Sequence, residues 1–170
     1  MTDILIDRRR LLHWTGATLA GGLVLSLSGC ATPPPPAVPE NARDVTASAV
    51  PILNALRARK GLPPVSVDAP ASVAAVSQAR RMAAHGKMAH LLGPDDDFKA
   101  RMKSHEVALP AAENVATGQD SLERAMKAWI DSPKHLHNML GDYRGLGVAV
   151  AYQRENNNRP YWAMVLSNPH

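Results

Sequence analysis

The sequence predicts an α+β domain in which helices come first and an antiparallel hairpin comes last. Apolar residues recur at helical spacing in successive segments between positions 48 and 140. The period then shortens to that of strands over 147–152 and 161–166, with Asn156, Asn157 and Asn158 as the turn between them. The composition, 45% hydrophobic and 20% charged over 170 residues, is that of a globular chain long enough for one sizeable core. Helices followed by a hairpin imply helices layered on an antiparallel sheet.

The first helix is expected over about 48–60. Ser48 serves as N-cap, Pro51 falls in the permissive first turn, and Gly61 ends it. Ile52, Leu53 and Leu56 form its stripe, and Leu62-Pro63-Pro64 is a connector. The second helix starts after Asp68 and runs to about His85, stopped by Gly86. Its apolar face is Val73, Val76, Ala79 and Met82, with Arg80 and Arg81 turned outward. A third helix covers about 95–104. Asp95, Asp96 and Asp97 form its acidic first turn, and Phe98 and Met102 pack inward.

Asp120-Ser121-Leu122-Glu123 reads as a capping box opening a fourth helix, buried through Leu122, Ala125, Met126 and Trp129. Ser132-Pro133 begins a short helix that ends near Leu140. A further strand either precedes Pro110 or includes Val115. Aromatic residues are only 4% of the chain, and Phe98 is the sole phenylalanine. The core is therefore built from aliphatic side chains and methionine, with Trp129 and Trp162 as anchors.

Charge and cysteine content exclude several classes. A net charge of +4, from 19 basic and 15 acidic residues scattered along the chain, does not make a nucleic-acid-binding face. A single cysteine excludes an intrachain disulfide and a cysteine-based zinc site.

The amino terminus reads as an export address. Arg8, Arg9 and Arg10 precede an apolar run over 11–28, then small residues. The run is at the lower limit for a membrane span, and His13, Gly16, Gly21 and Gly22 weaken that alternative. Leu27-Ser28-Gly29-Cys30 resembles the lipobox of bacterial lipoproteins, which implies cleavage after residue 29, lipidation of the Cys30 thiol, and membrane attachment through it. Arg8-Arg9-Arg10-Leu11-Leu12 resembles a twin-arginine signal, although three arginines also suit the general export route. Ala31 rather than Asp after the cysteine implies, by the same resemblance, sorting to the periplasmic face of the outer membrane. Residues 1–29 are thus an export signal and 30–44 a linker, whose Pro33-Pro34-Pro35-Pro36 run favours an extended, semi-rigid stalk. Residues 45–169 form the domain.

Chemistry-bearing residues fall at three places: His90, Glu113 and His135. Two imidazoles and a carboxylate suit either a divalent cation or acid–base chemistry. Seven histidines make chance trios common, so composition alone does not single these out. Structural roles compete: Glu113 as a loop-fixing acceptor, His135 as an anchor after Pro133, and Asn114 and Asn138 as loop-holding hydrogen bonders. His85 suits a helix carboxyl end, and His105 and His137 are expected to be exposed. Gly145-Leu146-Gly147 is not a nucleotide loop, because it leads into a strand.

The local frames add weight to the functional reading. Asn54-Ala55-Leu56-Arg57 before Gly61-Leu62-Pro63-Pro64-Val65, Met82 leading to His90, Gly93 with Arg101, Glu113-Asn114-Val115-Ala116-Thr117-Gly118, the stretch from Ala128-Trp129 through Ser132-Pro133-Lys134-His135 to Asn138-Met139-Leu140, Gly145-Leu146-Gly147-Val148 and Tyr161-Trp162 appear in that order. Together they resemble the bacterial branch of the CAP superfamily, also called SCP-like. The resemblance implies an α–β–α sandwich with a central antiparallel sheet and an open cleft lined by two His and two Glu.

His90 matches the first family histidine, Glu113 the first glutamate and His135 the second histidine. Ser132 stands where the second glutamate would be, and Asp131 is the adjacent carboxylate. The resemblance further implies a weak, exchangeable site for Zn²⁺ or another divalent ion at His90 and His135, with Glu113 reaching through water. Three functions follow as expectations. The leading one is binding of a lipid-like, small or cell-wall ligand in the cleft. The others are metal-assisted hydrolysis with Glu113 as base, and an envelope scaffold. Loss of the fourth cleft residue favours binding over catalysis.

Overall fold

The computed structural model describes residues 42–169. The export signal, Cys30 and all of the linker up to position 41 lie outside the described residues. The elements run β1 (Ala42–Asp44), α1 (Thr46–Arg59), β2 (Ser66–Val67), α2 (Ala69–His85), α3 (Phe98–Ser104), β3 (Ala112–Thr117), α4 (Leu122–Ile130), α5 (Pro133–Met139), β4 (Gly145–Gln153) and β5 (Arg159–Ser167). The chain therefore joins the sheet at Ala42, inside the stretch expected to be linker.

The sheet has the order β1-β4-β5-β3, antiparallel throughout that path, and the two-residue β2 lies parallel to β4. The closing hairpin pairs Gly145 with Ser167 through Gln153 with Arg159. Alternation along β4 and β5 sends two sets of side chains to two cores. Leu146, Val148, Val150, Trp162, Met164 and Leu166 pack with α1, α4 and α5, including buried Leu53, Met126 and Trp129. Ala149, Ala151, Ala163 and Val165 face α2 and α3, meeting Ala71, Ala75, Met82 and Met102. The result is the expected α–β–α sandwich.

Side-chain size explains how α2 seats itself. A Cβ on Gly147 would lie 2.2 Å from the Ala71 carbonyl and 2.3 Å from Ser72 N, so helix backbone and strand backbone touch directly. Only small residues fit there, and α2 turns Ala71, Ala74, Ala75 and Ala79 inward. Val73, expected on this face, is turned out and 56% exposed.

Helix starts also differ from expectation, each because a different acceptor takes the first N–H. Asp44 accepts from Thr46 N at 2.8 Å, so α1 begins before Ser48 and Pro51 sits inside it. Asp97 accepts from Ala100 N at 2.6 Å and caps α3, while Asp96 is drawn away to arginines, so the acidic first turn does not form. Ser121 caps α4, accepting from Arg124 N at 3.3 Å, which places Glu123 too early for a capping box.

Candidate functional site

The site is assembled around β3, the last strand in the sheet order. Its alternation gives adjacent residues opposite layers. Glu113 contacts the α2/α3 side, and Asn114 contacts α5.

Glu113 is buried, its side chain only 2% exposed. Its Oε2 accepts from Arg101 Nη1 at 3.0 Å and its Oε1 from Arg101 Nη2 at 3.2 Å, a two-pronged pairing from α3. Oε1 also lies 3.0 Å from His90 Nδ1. Arg101 Nε is 3.1 Å from Asp96 Oδ1, and Asp96 pairs in turn with Arg81. Burial pushes the Asp96 carboxyl up, but hydrogen bonds from Arg81 and Leu92 N–H and the charges of Arg81 and Arg101 outweigh it and hold it below its ordinary value. Signs therefore alternate along Arg81, Asp96, Arg101 and Glu113.

His90 lies on the loop after α2. Buried Gln78 holds that loop, donating to the carbonyls of Ala89 at 2.8 Å and His90 at 3.2 Å. Arg101 Nη2 also donates to the His90 carbonyl at 3.1 Å. A carboxylate only accepts, so Nδ1 carries the proton toward Glu113 and Nε2 is the ring's remaining lone pair. The imidazole stays half exposed.

His135 approaches from the opposite layer. Its carbonyl accepts from Asn114 Nδ2 at 3.1 Å, and Asn138 Nδ2 donates to Asn114 Oδ1 at 2.8 Å. Asn114 and Asn138 thus hold α5 against β3, as expected. Burial lowers the His135 pKa, and the charge of His90 lowers it further.

His90, Glu113 and His135 line one open cavity of about 540 Å³ with Pro133, Lys134, His137 and Asn138. Asp131 does not line it and pairs with Lys127 at 2.6 Å instead. Ser132 lines a smaller neighbouring pocket with Met88, Trp129 and His135. His137 is exposed, as expected, and also borders the cavity; His105 is half-buried, not exposed, because α3 packs beside α2. Sequence reasoning placed Arg101 only within a family frame. Nothing in its spacing announces that it would pair with Glu113.

The comparisons relate the chain as a whole to known proteins. The family model described as "Cysteine-rich secretory protein family", CAP, matches residues 51–166. The chain belongs to that family. Comparison with curated proteins gives no sequence match. Among solved structures, an outer surface protein of Borrelia burgdorferi has a TM-score of 0.64 at 17% identity, covering 76% of this chain and 99% of its own. An extracellular SCP-domain protein of Bacillus anthracis has a TM-score of 0.64 at 21% identity, covering 73% of this chain and 40% of that one. A cysteine-rich secretory protein of Staphylococcus aureus has a TM-score of 0.56 at 16% identity, over 73% and 38%. These likenesses establish the CAP fold.

The donor set sets limits on a metal in this CAP domain. Among the described residues no group of three or more His, Cys, Asp or Glu is arranged to hold an ion. Both Glu113 oxygens are already engaged by Arg101, and one also by His90. Two imidazoles remain, fewer than the three protein ligands of a catalytic zinc site.

Proposed function

We propose that this chain is an exported CAP protein, anchored by lipid on Cys30 to the bacterial envelope, whose His90/Glu113/His135 cleft binds a small or lipid-like ligand or an envelope component. The observation that carries the reading is the 3.0 Å contact of His90 Nδ1 with Glu113 Oε1. It fixes one imidazole with Nε2 as its outward nitrogen, across a shared cavity from His135. A carboxylate that already accepts from a guanidinium and an imidazole is a poor general base, which favours binding over hydrolysis. Zn²⁺ or another divalent ion would be held only weakly, by His90 and His135, and would supply Lewis acidity there. Glu113 would orient His90 instead of reaching the ion through water.

Native mass spectrometry of protein taken from envelope extract tests the reading. A co-purifying adduct that disappears in His90→Ala/His135→Ala is expected, and ligand-free wild-type protein would overturn it. In the same spectra the mature mass should begin at lipidated Cys30, and Cys30→Ser should lose the lipid. Calorimetric zinc titration giving equal affinity in wild type and the double variant would remove the metal site.

A further inference from the structure

β3 stands at one end of the sheet order, with β5 as its strand partner among the described residues. An antiparallel ladder uses the main-chain groups of every second residue and turns the others away from the partner. Gly118 N donates to Pro160 O at 2.9 Å, one step beyond the Thr117–Tyr161 pair, and this fixes the phase. Ala112, Asn114 and Ala116 bond to β5. The N–H and C=O groups of Glu113, Val115 and Thr117 therefore point off the free edge of the sheet. Among the described residues the Glu113 carbonyl alone of these groups has an acceptor's partner, Asn138 Nδ2 at 3.4 Å.

Two cavities follow one another along that edge. Glu113 lines the cavity of about 540 Å³, Val115 and Thr117 line the neighbouring one of about 280 Å³, and His135 borders both. The Val115 side chain is packed in the α2/α3 core, so the main chain is what this residue offers to the cavity. From Glu113 to Thr117 the edge runs about 14 Å. Met88 and His90 wall it on the α2/α3 side, and Trp129 and His135 wall it on the other. A row of unpaired main-chain groups along a strand is completed by another strand. The two ends differ in chemistry. Lys134 and His137 border the Glu113 end, where the Glu113 charge is already paired with Arg101. Met88, Ala128 and Trp129 make the Thr117 end apolar.

We propose that the cleft takes an extended peptide, which adds to the free edge of β3 through the main chains of Val115 and Thr117 and turns an acidic side chain toward Lys134. Main-chain hydrogen bonds hold the peptide, and its alternate side chains meet the two walls. The proposal rests on the cleft reading above and names the class of its ligand.

The test uses the full chain carrying Cys30→Ser and calorimetry. The probes are two acetylated, amidated hexapeptides of alternating valine and threonine, one with a glutamate first and one with it last, because an added strand can run either way. One of the two should bind. That peptide is then N-methylated on one alternate set of its amide nitrogens, or on the other set. The set that faces β3 should lose at least tenfold in affinity, and the set that faces away less than twofold. Val115→Pro removes an outward N–H that the β5 ladder does not use, and should weaken the peptide about fivefold. Should Val115→Pro fail to fold, the two methylated peptides decide the matter on the unsubstituted strand. Changing the glutamate to glutamine should weaken binding about threefold. Absence of binding by both probes, or equal affinity of the two methylated forms, overturns the proposal, and an unchanged affinity of the glutamine form overturns its acidic preference. Failure of the cleft reading shows separately, as ligand-free wild-type protein in the native mass spectra.

Discussion

Glu113→Gln keeps the side chain's shape and removes its charge, so it isolates the value of the Arg101 pairing. Glu113 is 2% exposed and Arg101 13%, so the pair is shielded from water. Breaking a buried pair by removing one partner costs about 3–5 kcal/mol, because the other charge stays behind. Arg101 retains Asp96 Oδ1 at 3.1 Å and the His90 carbonyl at 3.1 Å, which places the loss at the lower end, about 3 kcal/mol. For a domain of this size that lowers Tm by about 10 °C. Arg101→Met should cost a similar amount. In the double variant neither charge is left to strand the other, so the combined loss should fall short of the sum by about 2 kcal/mol. Urea titration of the four proteins gives each term. Additivity of the two losses within about 0.5 kcal/mol would refute the view that Glu113 and Arg101 act as one unit.

Other outcomes follow from the same geometry. Gly147→Ala pushes a methyl group into the Ala71 carbonyl and should cost about 3 kcal/mol, whereas Gly93→Ala, with open space around it, should be near neutral by urea titration. Burial first, and the charge of His90 second, lower the His135 pKa below its ordinary 6.5. The unfolded chain therefore takes up a proton that the folded one refuses, and stability should fall as pH drops from 6.5 toward the lower folded value, then level off. His135→Gln should flatten part of that slope in a pH series of thermal melts, and an unchanged slope would argue against it. Half-buried His105 adds to the same loss, its pKa lowered by desolvation and then by Arg101 and Arg81. Asn114→Ala removes the bridge from β3 to α5 and should cost about 2 kcal/mol. It should also broaden the His135 ring resonances in NMR spectra, and sharp, unshifted ones would count against the bridge.

Much of this molecule is legible in its residues, and the gaps have identifiable causes. The hairpin, the buried side of α4 and the stop at Gly86 follow from local pattern, because each is fixed by neighbours a few residues away. The short strands β1 and β2 are invisible for the opposite reason: each has only two or three residues and exists through pairing with β4. Val73 turns outward against its hydrophobicity because volume, which apolar periodicity does not register, decides there: the close approach at Gly147 admits only alanine-sized neighbours. His90, Glu113 and His135 were found through the family frames, and folding gathers them at one cavity. The Arg81, Asp96, Arg101 series lay hidden, since ion pairs between α2, its following loop and α3 leave no periodic trace.

One imidazole rides on each outer layer of the sandwich, and the strand between them sets their spacing. A molecule gripped by both would therefore act as a clasp across the sheet margin. Whatever free energy it gains would count against prying the two helical layers apart, about 2.7 kcal/mol at a hundred times its dissociation constant. Occupancy of the cleft would then be readable as resistance to heat or proteolysis, before the identity of the bound molecule is known.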